Sequence, residues 1–187
     1  MLFTPDTELT LRAAAVLVNS NRIDGEQLVD QAALDEYLDT YGWTGRRDRD
    51  AAELAEVHGL RERLGRIWAV ADDEESSVEE VNALLAETRA SPWLTRHPEM
   101  PEWHLHLASA RDPLARRMGA EMAMALADLI RGGQLNRLKT CAAPDCEAVL
   151  VDLSRNRSRM FCDTGNCGNR QHVAAYRRRR SVKPRQP

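Results

Sequence analysis

The sequence predicts a mainly α-helical protein of two parts: a helical N-terminal domain with a small β-hairpin, over residues 1–134, and a C-terminal β-hairpin plus helix, over residues 135–187. Apolar residues recur every three or four positions through most of the first part, which is typical of helices. All four cysteines of the 187-residue chain lie in the second part. The first part holds 14 Lys and Arg against 25 Asp and Glu, a charge of −11, whereas the second holds 12 against 4, a charge of +8. A basic module therefore follows an acidic one.

Caps and apolar spacing predict the first three helices. The first is expected over residues 7–19. Asp30 is expected to cap the second, which Gly42 ends, and the arginine-rich residues 45–49 are expected to face solvent. Asp50 begins a third helix whose apolar stripe runs for about five turns. These stripes predict helices that pack on one core.

Two more helices and a hairpin complete the predicted N-terminal domain. Ser77 and Glu80 have the spacing of a capping box, which predicts that a fourth helix starts there. Apolar and polar residues alternate over 103–107, which predicts a half-buried strand of a small hairpin. Asp112 as the N-cap and Pro113 at the first helical position predict a fifth helix, which joins the two parts.

The cysteines form two close pairs, Cys141-x4-Cys146 and Cys162-x4-Cys167, with fifteen residues between the pairs. Each pair closes a short turn that directs two thiolates at one ion. We predict that all four cysteines bind one structural Zn²⁺ ion; an iron–sulfur cluster, which also takes four thiolates, is the alternative. A disulfide is disfavoured because nothing in the sequence indicates export. Four thiolates leave no open coordination position, so we expect the metal to stabilise the fold and not to activate water.

The metal module is expected to be treble-clef-like or ribbon-like. Val149–Val151 and residues 160–161 are expected to pair as its hairpin strands. A helix is expected over residues 169–180, with Val173, Ala174 and Tyr176 available to pack on the hairpin. Without its metal, a module with so few apolar residues is expected to unfold.

The basic residues of this module predict contacts with nucleic acid, and with DNA in the first place. The candidates are Arg155, Arg157, Arg159, Arg170, Gln171, Arg177, Arg178, Arg179 and Arg180. Phosphate contacts supply affinity, whereas sequence reading needs base-edge contacts, for which Arg170 and Gln171 are the candidates. For Arg170 a structural interpretation is equally open, because a negative metal–thiolate cluster attracts a guanidinium. A solvated basic terminus would give the same charge pattern.

The run Cys-Gly-Asn-Arg at residues 167–170, preceded by Val-Asp-Leu-Ser-Arg-Asn-Arg-Ser-Arg at 151–159, resembles the CGNR zinc finger over about residues 137–180. In that family the finger follows a helical domain called ABATE, to which residues 1–134 are similar in length and order of helices. The resemblance implies a bacterial stress-induced or ligand-responsive transcription regulator, with zinc held by the four cysteines.

The resemblance also marks polar positions whose individual roles it does not assign. They are Asp152, Ser154, Asn169 and Arg170. The chain departs from the family pattern at residues 160–161, where arginine and tryptophan are usual, and at Gln171 and His172, where a lysine is common. These departures bear more on the DNA contacts than on the zinc site.

The leading hypothesis is a DNA-binding regulator whose N-terminal domain binds a small-molecule or protein signal. Asn19, near a helix end, is the candidate ligand-binding residue, with Trp43, Trp93 or Trp103 beside it; a capping role is the structural alternative. An RNA-binding or protein-interaction module is the second hypothesis, since basic zinc modules serve all these partners. The sequence predicts no catalytic residues and no enzyme, because no nucleophile–base pair, phosphate-cradling loop or open metal site emerges.

The sequence also bears on location. It contains no run of about eighteen apolar residues and no signal-peptide pattern. We therefore expect a cytoplasmic protein without membrane association. The oligomeric state is left open, a homodimer included.

Overall fold

The computed structural model describes residues 3–97 and 100–181. The helices are α1 (Pro5–Asn19), α2 (Gln31–Thr40), α3 (Ala51–Ala69), α4 (Glu74–Glu87), α5 (Leu114–Arg131) and α6 (Cys167–Ser181). The strands are β1 (Trp93–His97), β2 (Met100–His106), β3 (Leu138–Thr140) and β4 (Val149–Val151). The predicted mainly helical fold with two small hairpins is confirmed. Within the described ranges, no helix is both long enough and apolar enough to cross a membrane.

Helices α2 and α3 begin where the sequence predicts, each directly after an aspartate that caps it. Asp30 Oδ1 accepts a hydrogen bond of 2.9 Å from the backbone N–H of Ala33. Asp50 Oδ1 accepts one of 2.8 Å from the backbone N–H of Glu53. Each bond satisfies an N–H that the first turn of a helix leaves without a partner. Both predicted starts are confirmed.

The predicted capping box of α4 is wrong. The helix begins at Glu74, with Asp73 at the N-cap position, so Ser77 lies within its first turn. There Ser77 is buried and its hydroxyl donates to the carbonyl of Val70 at 3.0 Å. Acidic Glu74 and Glu75 occupy the first turn, where the helix dipole favours negative charge, and this allows the earlier start.

The start of α5 and the β1–β2 hairpin lie close to their predicted positions. Pro113 occupies the N-cap position and the helix begins at Leu114, one residue later than predicted. Asp112 Oδ1 instead accepts a bond of 2.9 Å from Arg116 Nη1. The hairpin is where the sequence predicts it, but its faces are reversed: His104 is buried, whereas the apolar Trp103 and Leu105 are exposed.

The arginine-rich segment between α2 and α3, here the α2–α3 loop (residues 44–50), does not simply face solvent. Arg47 Nε donates to Glu53 Oε1 at 3.0 Å, and its Nη1 lies 2.5 Å from Asp35 Oδ1. Glu53 also accepts from the backbone N–H groups of Asp48 and Arg49 at 2.8 and 3.2 Å. Ion pairs therefore hold the loop against α2 and α3.

One hydrophobic core runs through both parts of the chain. In the helical region (residues 3–134) its fully buried members include Leu64 and Met118. Leu138 of β3 and Val149 and Val151 of β4 belong to the same cluster. The boundary after residue 134 stays a prediction, and the buried apolar contacts continue across it.

Side chains of the helical region also bind the backbone of β4. Asn19 Oδ1 accepts from the N–H of Val149, and Asn19 Nδ2 donates to the carbonyl of Val149, both at 2.8 Å. Trp68 Nε1 donates to the carbonyl of Leu150 at 3.2 Å. Since buried backbone groups need partners, α1 and α3 complete the hydrogen bonding of β4.

Candidate metal centre

The four cysteine sulfurs converge at one point. Their ligand atoms all lie within 4.8 Å of one another. Cys162 Sγ is 3.7 Å from both Cys146 Sγ and Cys167 Sγ. A tetrahedral ion with Zn–S bonds of about 2.3 Å separates its sulfurs by about 3.8 Å. The spacing fits one ion, whereas a cluster whose ligands bind different iron atoms needs wider separations.

A hairpin turn and a helix start supply the two cysteine pairs. Cys141 follows β3, and its N–H donates to the carbonyl of Ala148 at 2.8 Å, so the first pair lies in the β3–β4 turn. Cys167 is the first residue of α6. One pair in a hairpin turn and one at a helix start correspond to the treble-clef-like alternative, not to a ribbon of two hairpins.

The predicted pairing of the hairpin strands is wrong. Strand β4 pairs antiparallel with Leu138–Thr140, which precedes the first cysteine, and not with residues 160–161. Met160 takes part through its carbonyl, which accepts a bond of 2.8 Å from the N–H of Ala142. A β3 strand of three residues carries too little apolar alternation to be recognised, and its pairing depends on the core beneath it.

The thiols need a cation to ionise together. Burial, and then the neighbouring thiols, raise the pKa of Cys162 to about 12, against a hydrogen bond from the backbone of Gly165 that lowers it. A bound metal reverses this balance because it takes the thiolate electron pairs. The donor set is sulfur only, which suits zinc. The four cysteines form the site of one structural zinc ion.

The helical region supplies part of the wall of this site. Ile23 packs against the cysteine cluster together with Phe161. Arg22 Nη1 donates to the carbonyl of Glu147 in the first cysteine loop at 3.0 Å. In the second loop, a Cβ at Gly165 would lie 3.1 Å from Cys167 Sγ, so a larger residue would crowd the ligand. The metal site is therefore built on the helical region.

Arg170 contacts the metal centre. Its Nη2 donates to Cys167 Sγ at 3.2 Å, and its Nη1 lies 3.5 Å from Asp145 Oδ2. The bond to the Cys167 sulfur, followed by the charge of Asp145, raises the pKa of Arg170. Of the two interpretations of this residue, the observed contacts are those of the structural one. Base-edge reading by Arg170 stays a prediction.

The other predicted nucleic-acid residues lie in two places. Arg155 and Arg157 are exposed in the loop after β4, here the basic loop (residues 154–159). Arg159, at the end of that loop, forms an ion pair with Asp163 and donates from Nε to the carbonyl of Phe161 at 3.2 Å. Its charge is therefore partly neutralised within the module.

Helix α6 carries the second group. Beyond Arg170, its exposed arginines are Arg177, Arg178 and Arg179; Gln171 is half-buried, and the side chain of Arg180 lies outside the described residues. Val173 and Tyr176 are 41% and 54% exposed and Ala174 is half-buried, so their packing on the hairpin stays a prediction. The helix approaches the module in its first turn, where a Cβ at Gly168 would lie 3.7 Å from Phe161.

The candidate ligand-binding residue Asn19 is buried, and both polar groups of its amide bind Val149. Trp43 is half-buried, whereas Trp93 and Trp103 are exposed on the β1–β2 hairpin. A surface depression of about 340 Å³ has Ala71, Ile130 and other residues in its lining, but not Asn19. The contacts of Asn19 are structural, and its ligand-binding role stays a prediction.

Sequence reasoning missed two basic residues that lie beneath the basic loop. Arg137 is 1% exposed, and Lys139 Nζ lies 2.6 Å from Asp152 Oδ2, yet both counted toward the basic charge of the module. Both flank Leu138 in β3, and Asp152 directly follows β4, so only the correct pairing of these strands reveals the contact. With the strand pairing wrong, these residues were not brought together.

Comparison with protein families supports both parts of this description. Residues 137–180 match the family "CGNR zinc finger". Residues 11–133, about two thirds of the chain, match the family ABATE, described as "Putative stress-induced transcription regulator". No match to this chain was found among curated proteins. The chain belongs to the ABATE family and carries a CGNR zinc finger after that domain.

Proposed function

We propose that this protein regulates transcription by binding duplex DNA through its zinc-held C-terminal module. One observation carries the proposal: the basic loop and α6, both attached to the metal site, present exposed arginines. Among the described residues, Arg155 and Arg157 have no ion pair, so their charges are available to phosphates. Phosphate contacts of this kind supply most of the affinity for DNA.

The distribution of charge favours one orientation on DNA. The helical region lies within the part of the chain that carries −11, and it is repelled by phosphates. The basic loop and α6 therefore face the duplex while the helical region points away. Since Arg170 is engaged with Cys167 and Asp145, Gln171 is the better candidate for a base-edge contact.

In this proposal the helical region binds the signal, a small molecule or a protein, and α1 transmits it. The contact of Asn19 with β4 supports this route, because β4 leads directly into the basic loop. A shift of α1 would move the strand that carries the loop. The signal itself is not identified by any described pocket.

The test is fluorescence anisotropy with a duplex DNA and an RNA of matching sequence, over a series of salt concentrations. The double variant Arg155→Gln/Arg157→Gln is compared with Arg12→Gln/Arg111→Gln, which removes two exposed arginines from the helical region. We expect the first variant to lower the slope of log K against log salt by about 2, since each phosphate contact contributes about 0.9. Equal losses in both variants, or no binding by the wild type, would contradict the proposal.

Binding of single-stranded RNA is the second candidate. Tyr176 supports it, because its ring is 54% exposed on the helix that carries Arg177 and Arg179, and unpaired bases stack on aromatic rings. On this alternative, Tyr176→Ala weakens binding to single strands about tenfold, by loss of stacking, and leaves duplex binding unchanged. The same anisotropy series on both substrates distinguishes the two candidates.

A further inference from the structure

The carboxylate of Asp152 binds both ends of the basic loop. Its side chain is 0% exposed. At the start of the loop, Oδ1 accepts from the N–H and the hydroxyl of Ser154 at 3.0 and 2.5 Å. At the end of the loop, Oδ2 accepts from the N–H of Arg159 at 2.9 Å, and it also accepts from Lys139 Nζ at 2.6 Å. Four donors therefore occupy one buried carboxylate.

Two cations lie beneath the same loop and bind its carbonyl groups. Lys139 Nζ donates to the carbonyls of Arg157 and Arg159 at 2.8 and 3.1 Å. Arg137 Nη1 donates to the carbonyls of Asp152 and Ser154 at 2.7 and 2.9 Å. These charges are directed at the loop backbone and not at solvent. Their contacts reach backbone carbonyls at the start, the middle and the end of the loop.

The loop is held in a conformation that it would not adopt freely. Arg157, near its tip, has a φ of +53°, in the left-handed region that non-glycine residues rarely occupy. The hydroxyl of Ser154 accepts from the N–H of Ser158 at 3.1 Å, which closes the turn around Arg157. Burial alone would raise the pKa of Asp152, but Lys139, Ser154 and the Arg159 N–H bring it to about 2, so its bonds are charge-assisted.

We propose that Asp152 is a positioning residue for nucleic-acid binding: with Lys139 and Arg137 beneath it, it fixes the basic loop so that Arg155 and Arg157 meet phosphates at a set spacing. The inference rests on the proposed function. A loop that is ordered before binding loses less conformational freedom when it binds, and affinity rises accordingly. Asp152 itself touches no phosphate.

The variant Asp152→Asn separates positioning from simple electrostatics, because the two predict opposite signs. Removing a negative charge beside the basic loop would by itself tighten binding to a polyanion. An asparagine, however, places an NH2 group where two donors already point, so the loop loses its order. We expect affinity for the duplex to fall about tenfold at constant salt, because the basic loop then loses its conformational freedom only when it binds.

The helical region offers a matched control. Glu53 is also a buried carboxylate, and it accepts from Arg47 and from the N–H groups of Asp48 and Arg49 in the α2–α3 loop. Glu53→Gln removes the same charge and loosens a loop that carries arginines but is not part of the proposed interface. We expect its affinity for the duplex to equal that of the wild type.

The experiment uses the full-length, zinc-loaded protein and three readouts: zinc per chain, anisotropy with one duplex, and limited trypsin digestion followed by mass spectrometry. Asp152→Asn is expected to keep its zinc, to be cut faster after Arg155 and Arg157, and to bind more weakly. Glu53→Gln is expected to be cut faster in the α2–α3 loop only. Trypsin reads the order of each loop without reference to any ligand.

Unchanged or tighter binding by Asp152→Asn with zinc retained would overturn the inference, as would an equal loss in Glu53→Gln. If Asp152→Asn loses zinc, the variant Ser154→Ala takes its place, because it removes two bonds of the loop without changing a charge. Binding about threefold weaker than that of the wild type is then expected, and unchanged binding would overturn the inference. If the wild type binds no nucleic acid, the proposed function fails first. If the wild type binds and Asp152→Asn binds equally, the inference alone fails.

Discussion

Two arginine-bearing loops of this protein are held in the same way, by charged side chains that bind the loop backbone. In the α2–α3 loop, the buried carboxylate of Glu53 accepts backbone N–H groups, and Arg117 Nη2 donates to the carbonyl of Arg46 at 2.6 Å. In the basic loop, Asp152 and Arg137 make the equivalent contacts. Both supports combine one carboxylate for the N–H groups with one guanidinium for the carbonyls.

The loops differ in where their arginines point. In the α2–α3 loop Arg46 pairs with Asp48, and Arg47 and Arg49 both pair with Asp35. In the basic loop, no ion pair involves Arg155 or Arg157 within the described part of the chain.

The comparison teaches that a count of arginines does not identify a polyanion-binding surface. What matters is whether acids lie within reach. The α2–α3 loop lies among Asp35, Asp48 and Glu53. At the basic loop, Asp152 is buried and already bound, and Asp163 pairs with Arg159 and not with Arg155 or Arg157. The same kind of support therefore holds the arginines of the α2–α3 loop in ion pairs and leaves Arg155 and Arg157 of the basic loop exposed.

Metal removal is expected to have the largest effect, and it tests whether the two supports are independent. In small zinc-dependent modules the metal contributes about 10 kcal/mol to folding. A chelator is therefore expected to open the basic loop to trypsin and to abolish nucleic-acid binding, while the α2–α3 loop stays protected. Equal exposure of both loops would show that they share one unfolding unit. Added zinc is the control and restores both readouts.

Asn19→Ala tests how the two regions are joined. It leaves the buried N–H and carbonyl of Val149 without partners, and each such group costs about 1–3 kcal/mol. The free energy of unfolding, measured by urea denaturation, is expected to fall by about 1–3 kcal/mol if one of these groups loses its partner, and by about twice that if both do. Asn21→Ala is the matched control, because Asn21 makes one exposed bond of 3.4 Å to Glu62. A loss no larger than that of the control would mean that the β4 contact contributes little.

Acid is expected to release the basic loop through Asp152. Because the pKa of Asp152 is lowered from 3.8 to about 2 in the folded protein, its ionised form stabilises the fold at every pH above about 3.8. This stabilisation is lost as the pH falls from about 3.8 to about 2. Amide hydrogen exchange of the loop across that range measures it, and Asp152→Asn is expected to remove the pH dependence. The same profile in the variant would assign the transition to another group.

The smallest expected effect comes from giving the basic loop an acid of its own. Asn156 lies exposed between Arg155 and Arg157. Asn156→Asp would make this loop resemble the α2–α3 loop, and the slope of log K against log salt is expected to fall by about 1. Asn21→Asp adds the same charge to the helical region and is expected to leave the slope unchanged. Anisotropy that fails to separate these two variants would break the comparison between the loops.

Much of the metal site was predictable because its signal is local. The spacing of Cys141, Cys146, Cys162 and Cys167 predicts their convergence without knowledge of the fold. The caps at Asp30 and Asp50 were equally readable, since a cap acts on a backbone group three residues away. The start of α4 could not be predicted in this way. The hydroxyl of Ser77 suits a cap, but it donates to the carbonyl of Val70, and the local pattern does not reveal that contact.

The support of the basic loop was out of reach for a related reason. Arg137, Lys139 and Asp152 are charged residues that composition assigns to the surface. Their burial depends on the pairing of β3 with β4, and strands of three residues give no periodicity from which to deduce it. The observed pairing is the one that places Leu138, Val149 and Val151 in the core of the helical region.

By itself the sequence determined the helices, the position of the β1–β2 hairpin and the zinc ligands, since each rests on residues close together in the chain. The tertiary structure alone decided which arginines remain available and how the two regions join. Asn19 meets its partner 130 residues away, and no local pattern encodes such a contact. Partners at that distance are selected by the packing of a shared core, which forms only when the whole chain folds.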